Sequence, residues 1–183
     1  RSDKVFTIGH SSHNIGYFLM LLRLYKINCI VDVRSVPFSR YTPQYNKDEL
    51  KKVLNHHGIY YVFMGDKLGA RCKDRTLYTP KGFNITLMCT EKDPVDCHRN
   101  ILIAREFFNQ NYEVNNILAN GKIQTQDYIE QRLLDIYFPN RMQQTMFDSL
   151  DDKKSENELI NNAYRLRNRD IGYSISAEKK RAV

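Results

Sequence analysis

The stretch that decides the fold reads NITLMCTEKDPVDCHRNILIAR, residues 84–105. It opens with the apolar run Ile85–Met88, which predicts a buried strand, and it closes with an apolar segment that predicts a helix. Ligands of open α/β sheets bind where a strand runs into a helix start, so the sequence predicts a functional site between the two. The polar residues of this turn and helix start are Cys89, Glu91, Asp93, Asp96, Cys97, His98 and Arg99.

Short apolar runs alternate with amphipathic segments through the rest of the chain. The runs at 5–8, 28–33, 59–64, 85–88 and 113–118 predict strands. Helices are predicted over 14–24, 47–57, 94–109 and 125–137. This alternation predicts a single α/β domain over residues 1–149, with a mostly parallel sheet flanked by helices on both faces.

The last part of the chain has a different composition. From Asp148 onward charged residues dominate, so we expect residues 150–183 to form a charged, peripheral or partly disordered tail that holds one helix over 159–169. No apolar run approaches the roughly 20 residues of a membrane span, and no signal peptide is visible. Four cysteines without a close CxxC pair predict reduced thiols, which favours a cytoplasmic protein with no membrane partner.

The net charge of +7 favours partners that carry phosphate, such as a nucleotide or a nucleic acid. A glycine-, lysine- and arginine-rich loop over 65–82 adds positive charge, and Tyr78 and Phe83 could stack on bases. The alternative is a basic surface that serves solubility alone.

The predicted topology brings distant residues to one edge of the sheet. His10, Arg34 and Cys89 each follow the carboxyl end of a predicted strand. Because neighbouring strands lie ~4.8 Å apart, we expect these side chains to share one pocket. The expected substrate-binding residues are Asp32, Arg34, Ser35, Arg40 and Arg99.

The helix start after the central strand offers nucleophilic and acid–base chemistry. The positive end of the helix would lower the pKa of Cys97, which makes it a candidate nucleophile. His98 or His10 would transfer a proton, and Glu91 could orient a histidine. The predicted catalytic residues are therefore Cys97, His98, His10 and Glu91.

Structural roles for the same residues remain open alternatives. Cys97 could be a half-buried cap residue, and Arg99 could pair with Asp93 or Asp96 to brace the turn. His10 could hydrogen-bond the backbone at a strand end. Asp32 and Arg34 could pair with each other.

Two other kinds of site fit the sequence poorly. Zinc-compatible residue types are present, but their spacing matches no standard zinc motif, so no metal site is predicted. Phosphatase-like and sulfurtransferase-like loops place an arginine six residues after the cysteine. Counted from Cys89 that position is Val95, and the turn is acidic, which argues against both reactions.

Five motifs resemble a known family. In order they are TIGHSSHN, VDVRSVPFSR, PQYNKDEL, GIYYVFMGDKLGA and CTEKDPVDCHR, and together they resemble the domain of unknown function 488 family over residues 4–147. The resemblance implies a single α/β domain whose motif residues form one pocket, but it implies no reaction. The positions that match are His10, Asp32, Arg34, Pro37, Arg40, Asn46, Gly69, Cys89, Glu91, Cys97, His98 and Arg99.

The chain departs from the family pattern at one place. Family members usually carry a longer helical segment before the CxE strand, whereas only residues 71–83 stand there in this chain. Either this chain has lost that segment, or residues are missing near Pro80–Phe83, and we favour the second explanation. Such a loop beside a pocket would fit a substrate lid.

A short motif follows the last predicted helix. Gln143, Met146 and Phe147 stand in the sequence QQTMF, which resembles the peptides that dock on bacterial sliding clamps. The alternative is that Met146 and Phe147 pack on the sheet.

Taken together, these features predict an enzyme, a hydrolase or a transferase, that acts on a phosphate-bearing nucleotide or nucleic-acid substrate through a His/Arg/Cys pocket. No cofactor is indicated. The alternative is a non-catalytic nucleic-acid-binding or interaction module in DNA metabolism.

Overall fold

Six strands form one sheet in the computed structural model of the chain, which describes residues 3–68, 82–142 and 155–181. The spatial order is β3-β2-β4-β1-β5-β6, with β4 and β1 at the centre. All neighbouring pairs are parallel except β5 with β6. The strands are β1 (Lys4–Gly9), β2 (Cys29–Asp32), β3 (Tyr60–Phe63), β4 (Ile85–Cys89), β5 (Glu113–Ile117) and β6 (Ile123–Thr125).

Helices α1 (Ile15–Leu24), α2 (Lys47–His56) and α4 (Arg105–Asn109) connect parallel strands, as the sequence predicts. The short α3 (Gly65–Leu68) follows β3, where the sequence predicted a loop, and α5 (Gln126–Tyr137) and α6 (Glu156–Arg181) follow β6. Asn14 caps α1, since its side chain accepts a hydrogen bond from the Tyr17 backbone N–H at 2.8 Å.

The helix after β4 differs from the expectation of a start at residue 94. Only a 3-10 turn, Pro94–Asp96, lies there, and a π-helical segment, Arg99–Ala104, then runs directly into α4. Cys97 is extended between the two, with φ −128° and ψ 134°. Its carbonyl accepts the first helical hydrogen bonds, from the N–H groups of Asn100 and Ile101. Cys97 therefore stands at the cap position.

Buried side chains cover both faces of the sheet, because successive residues of a strand point to opposite sides. One apolar cluster packs Phe6, Ile8 and Ile30 against α1 and α2. A second packs Val5 and Leu87, from the other face, against the helix that follows β4. The predicted α/β architecture, with a mostly parallel sheet and helices on both faces, is confirmed.

The chain divides into two compact units, Arg1–Gln126 and Asp127–Val183. The whole sheet lies in the first unit. Within the second, the Tyr164 hydroxyl donates to Glu130 of α5 at 3.2 Å, and Tyr137 donates to Asp170 of α6 at 2.6 Å. The segment predicted as a tail thus holds a longer helix than expected, while the domain limit predicted at residue 149 stays a prediction.

Candidate functional site

The carboxyl ends of β1, β2 and β4 meet at one edge of the sheet. The pairing continues past the strands, since the N–H groups of His10 and Ser11 bond the carbonyls of Cys89 and Thr90, both at 2.9 Å. The Val33 N–H bonds the Met88 carbonyl at 3.1 Å. This edge is where the sequence places the site.

The polar residues of the edge fall into two hydrogen-bonded groups. We name the first the closed cluster and the second the thiol cluster. The two lie within electrostatic reach of each other, since the Arg99 charge contributes to the lowered pKa of His10 and the Cys89 thiol to the raised pKa of Arg34. The closed cluster comprises His10, Asp32, Arg34, Tyr45 and Tyr61, and the thiol cluster comprises Thr7, Cys89, Cys97 and Arg99.

A buried ion pair forms the centre of the closed cluster. Asp32 is fully buried and Arg34 is 5% exposed. The Arg34 Nη2 donates to Asp32 Oδ2 at 2.7 Å and to the Tyr45 carbonyl at 2.8 Å, and its Nε donates to Asp32 Oδ1 at 2.9 Å. The Tyr61 hydroxyl also donates to Asp32 Oδ2, at 2.7 Å. The alternative in which Asp32 and Arg34 pair with each other is therefore observed.

His10 completes the closed cluster with both ring nitrogens in use. Its Nδ1 lies 2.8 Å from the Ser11 carbonyl and its Nε2 lies 3.2 Å from Arg34 Nη1, so Nδ1 donates and Nε2 accepts. The ring stacks on Tyr45 at 4.1 Å between centroids. Burial, with the nearby Arg34 charge, lowers the pKa of His10 to about 4. His10 is thus neutral near pH 7, and it makes the backbone hydrogen bond that its alternative role requires.

The thiol cluster favours one ionised sulfur. Burial by itself raises the pKa of Cys97, but the hydrogen bond from the Cys89 thiol and the charge of Arg99 lower it to about 6. The Arg99 backbone N–H adds a hydrogen bond to the Cys97 sulfur at 3.4 Å. The hydrogen bond to Cys97 raises the pKa of Cys89 well above its ordinary value. Cys97 is 2% exposed, whereas Cys89 is half-buried.

Arg99 is the buried cation of the thiol cluster, at 1% exposure. Its Nη1 donates to the Glu91 carbonyl at 2.6 Å, and its Nε donates to the Thr7 hydroxyl at 3.4 Å. Its Nη2 is buried without a hydrogen-bond partner in the described part of the chain. These bonds differ from the pairing with Asp93 or Asp96 that the sequence allowed.

Gly9 makes this arrangement possible. A Cβ at this position would lie 1.8 Å from the Glu91 carbonyl oxygen and 3.2 Å from Arg99 Nη1. Only a residue without a side chain lets the Glu91 carbonyl approach the strand end closely enough to orient Arg99.

Sequence reasoning missed a network of buried amides beside the thiol cluster. Asn100 Nδ2 donates to Asn116 Oδ1 at 2.7 Å and to Gln126 Oε1 at 3.0 Å. Thr7 Oγ1 donates to Asn116 Oδ1 at 2.6 Å, which joins the network to Arg99. Asn115-Asn116 inside a predicted apolar strand was the signal that could have revealed it. π-helical turns such as Arg99–Ala104 are frequent at functional sites.

The remaining predicted site residues lie near the surface. Ser35, Arg40 and Glu91 are exposed, and His98 is half-buried next to Cys97. The structure therefore brings Cys97 and Arg99 together, and separately His10, Asp32 and Arg34. Several residues named in the sequence analysis lie outside the described part of the chain. They are Gly69, Cys72, Tyr78 and Pro80, and Gln143, Met146 and Phe147 of the clamp-like motif.

Comparison with known families gives one match, to the model described as domain of unknown function DUF488, over residues 14–84. This match supports the predicted assignment to the DUF488 family. The match holds Asp32, Arg34 and Arg40 but neither His10 nor the thiol cluster. No curated protein and no solved structure matches the chain. The match therefore supports the predicted resemblance over residues 14–84 and supplies no reaction.

Two further properties concern the described parts of the chain. None of the helices in residues 3–68, 82–142 and 155–181 combines the length and apolar character that crossing a bilayer requires. The same ranges hold no group of three or more His, Cys, Asp or Glu side chains arranged to bind a metal ion.

Proposed function

We propose that the chain is an enzyme that acts on a phosphate-bearing substrate, a nucleotide or a nucleic acid, with the Cys97 sulfur as its reacting group. The observation that carries the proposal is the buried Cys97 sulfur, which accepts the Arg99 backbone N–H beside the Cys89 thiol and the unpartnered Arg99 Nη2, surroundings that lower the pKa of Cys97 and favour a thiolate. Burying a charge costs free energy, and packing alone does not require one. Strongly shifted pKa values supported by specific charged partners are concentrated at functional sites.

Each neighbour of Cys97 has a role in this proposal. Cys97 is the nucleophile, and the Cys89 thiol keeps it ionised. Arg99 offers its unpartnered Nη2 to an anionic group. We assign proton donation to the leaving group to His98, which is half-buried and adjacent to Cys97 in the chain.

The substrate class rests on charge. The net charge of +7 attracts polyanions, and Arg40 is exposed in the loop that follows β2. A hydrolase or a transferase is the expected class of enzyme, and a nucleic-acid partner and a cytoplasmic location belong to the same proposal. Substrate-binding roles for Asp32, Arg34 and Ser35 stay predictions, although the donors of Arg34 are largely used inside the protein.

The test is turnover of a panel of nucleoside phosphates and oligonucleotides, measured by mass spectrometry of the products. We expect Cys97→Ser to lose at least about a hundredfold in rate, since removing a nucleophile eliminates the covalent step. Cys29→Ala is the matched control, because Cys29 is a buried thiol in the core. Full activity in Cys97→Ser would reject the assignment, provided that circular dichroism shows a folded protein.

A nucleic-acid-binding module without catalysis is the second candidate. The exposed Phe38 and Tyr41 beside Arg40 favour it, since bases stack on such side chains. Salt-dependent oligonucleotide binding, with no turnover of any substrate in the panel, would select this candidate over the enzyme.

A further inference from the structure

The loop between β2 and α2, residues 35–46, exposes apolar side chains in an unusual concentration. We name it the platform loop. Tyr41 is 96% exposed, Val36 66% and Phe38 65%, and Arg40 is exposed between the two aromatic residues. Single exposed apolar residues are normal on a protein surface, but three within six positions indicate a surface that contacts another molecule.

Hydrogen bonds fix the backbone of the platform loop. The Ser39 N–H donates to the Asn46 side chain at 2.7 Å, and the Ser39 hydroxyl accepts from the N–H groups of Tyr41 and Thr42 at 3.1 and 3.3 Å. The Lys47 N–H, at the start of α2, bonds the Pro37 carbonyl at 3.0 Å. The exposed rings are thus carried on an ordered backbone, which lowers the entropic cost of binding.

The closed cluster holds both ends of the platform loop. Arg34 immediately precedes the loop, and its Nη2 bonds the carbonyl of Tyr45 near the far end at 2.8 Å. Tyr45 is fully buried, and its hydroxyl donates to the His13 carbonyl at 2.8 Å. The buried ion pair therefore has a structural role, because Arg34 joins the two ends of a loop whose middle residues, Phe38 and Tyr41, are exposed.

The positive charge of the platform loop and its flanks favours an anionic partner. From Val33 to Lys47 every charged residue is positive, namely Arg34, Arg40 and Lys47. Arg40 and Lys47 are exposed, whereas Arg34 is neutralised by Asp32. Exposed aromatic rings beside an arginine match the bases and phosphates of an unpaired strand, whose bases are free to stack. Bases inside a duplex are already stacked on one another.

We propose that the platform loop binds single-stranded nucleic acid, with bases stacked on Phe38 and Tyr41 and a phosphate held by Arg40. This deepens the proposed function by naming its substrate class, and it rests on that function for the chemistry that follows binding. The binding itself is measured without turnover, so the two proposals can fail separately.

The experiment is fluorescence anisotropy with a labelled oligothymidine of about 12 nucleotides and a duplex of the same length. We expect the single strand to bind more tightly, with affinity falling steeply between about 50 and about 200 mM salt. Phe38→Ala/Tyr41→Ala should weaken single-strand binding about tenfold or more. Arg40→Gln should weaken it less and also reduce its salt dependence.

Tyr128→Ala is the matched control, since Tyr128 is 55% exposed on α5, far from the loop in sequence, and its loss should leave affinity unchanged. Equal affinity for single strand and duplex, no binding at low salt, or wild-type affinity in the double aromatic variant would each overturn the proposal. Cys97→Ser should bind normally. Oligonucleotide binding without thiol-dependent turnover would support the platform loop and reject the enzyme. Turnover without oligonucleotide binding would support the enzyme and reject the platform loop.

Discussion

The two polar clusters at the carboxyl edge differ in how fully their donors are used. In the closed cluster, Arg34 has partners for Nε, Nη1 and Nη2, and both nitrogens of His10 are engaged. In the thiol cluster, Arg99 keeps a buried Nη2 without a partner in the described part of the chain. A satisfied network holds a structure rigid, whereas an unsatisfied buried donor is a cost that function can explain. We therefore interpret the closed cluster as a structural support of the fold. The thiol cluster still has a guanidinium donor that can bind a substrate.

The ion pair of the closed cluster provides the largest expected effect. Asp32→Ala leaves Arg34 buried without a carboxylate, so the free energy of unfolding should fall by about 3–5 kcal/mol. Urea denaturation measures this change. The double variant Asp32→Leu/Arg34→Met should recover at least half of the loss, because no buried charge then remains.

The control for this prediction is an exposed ion pair. Lys52 and Glu49 have side chains 73% and 60% exposed, and Glu49→Ala should change stability by less than about 0.5 kcal/mol. A loss below about 1 kcal/mol in Asp32→Ala would show that the closed cluster is not a structural support.

His10 gives the closed cluster a pH dependence. Its pKa is about 4 in the folded protein against an ordinary 6.5, so between these values the unfolded chain binds a proton that the folded chain does not. Stability should therefore fall as pH decreases from about 6.5 to about 4, by on the order of 3 kcal/mol in total from this residue. Urea midpoints measured across this range should show a shallower pH dependence in His10→Phe, which keeps a ring against Tyr45. Identical pH dependence in both proteins would refute the buried neutral histidine.

The smallest expected effect concerns the ionisation of Cys97 in the thiol cluster. Alkylation of Cys97 by iodoacetamide, followed by mass spectrometry, should show a midpoint near the pKa of about 6. Arg99→Met removes the positive charge, so the midpoint should rise by about one pH unit or more. Cys29 is the internal control, since burial raises the pKa of its thiol. A wild-type midpoint near 9, or one that does not move in Arg99→Met, would remove the basis for a reactive Cys97.

Periodicity made the strands and helices predictable, but it missed local features with a polar sequence. The run at 28–33 contains Asp32 and still predicted a buried strand, because its other residues are apolar enough to be covered on both faces. The short β6 was missed, since three residues give too little pattern. The helix start was predicted too early because Pro94 is favourable in a first turn, and here it opens a 3-10 turn instead.

The candidate site was predictable as a list of residues but not as an arrangement. The expected pocket joined His10 and Arg34 to Cys97 and Arg99. The structure shows two hydrogen-bond networks there, one with His10 and Arg34 and one with Cys97 and Arg99, and the single pocket stays a prediction. Which side chains bond each other depends on strand register, because the side-chain period of two sets the face of each residue.

The sequence by itself determined the parallel α/β sheet and the polar residues that follow its strands, because hydrophobic periods and strand-to-helix turns are local properties. Only the tertiary structure decided which partners each charged side chain contacts. Residues far apart in the chain set those contacts: Tyr45 and His10 for Arg34, Thr7 for Arg99, and Cys89 for Cys97. The sequence NITLMCTEKDPVDCHR was enough to predict a reactive thiol and a guanidinium. Burial and the neighbouring strands determine that Arg34 uses all its donors within the protein while Arg99 does not.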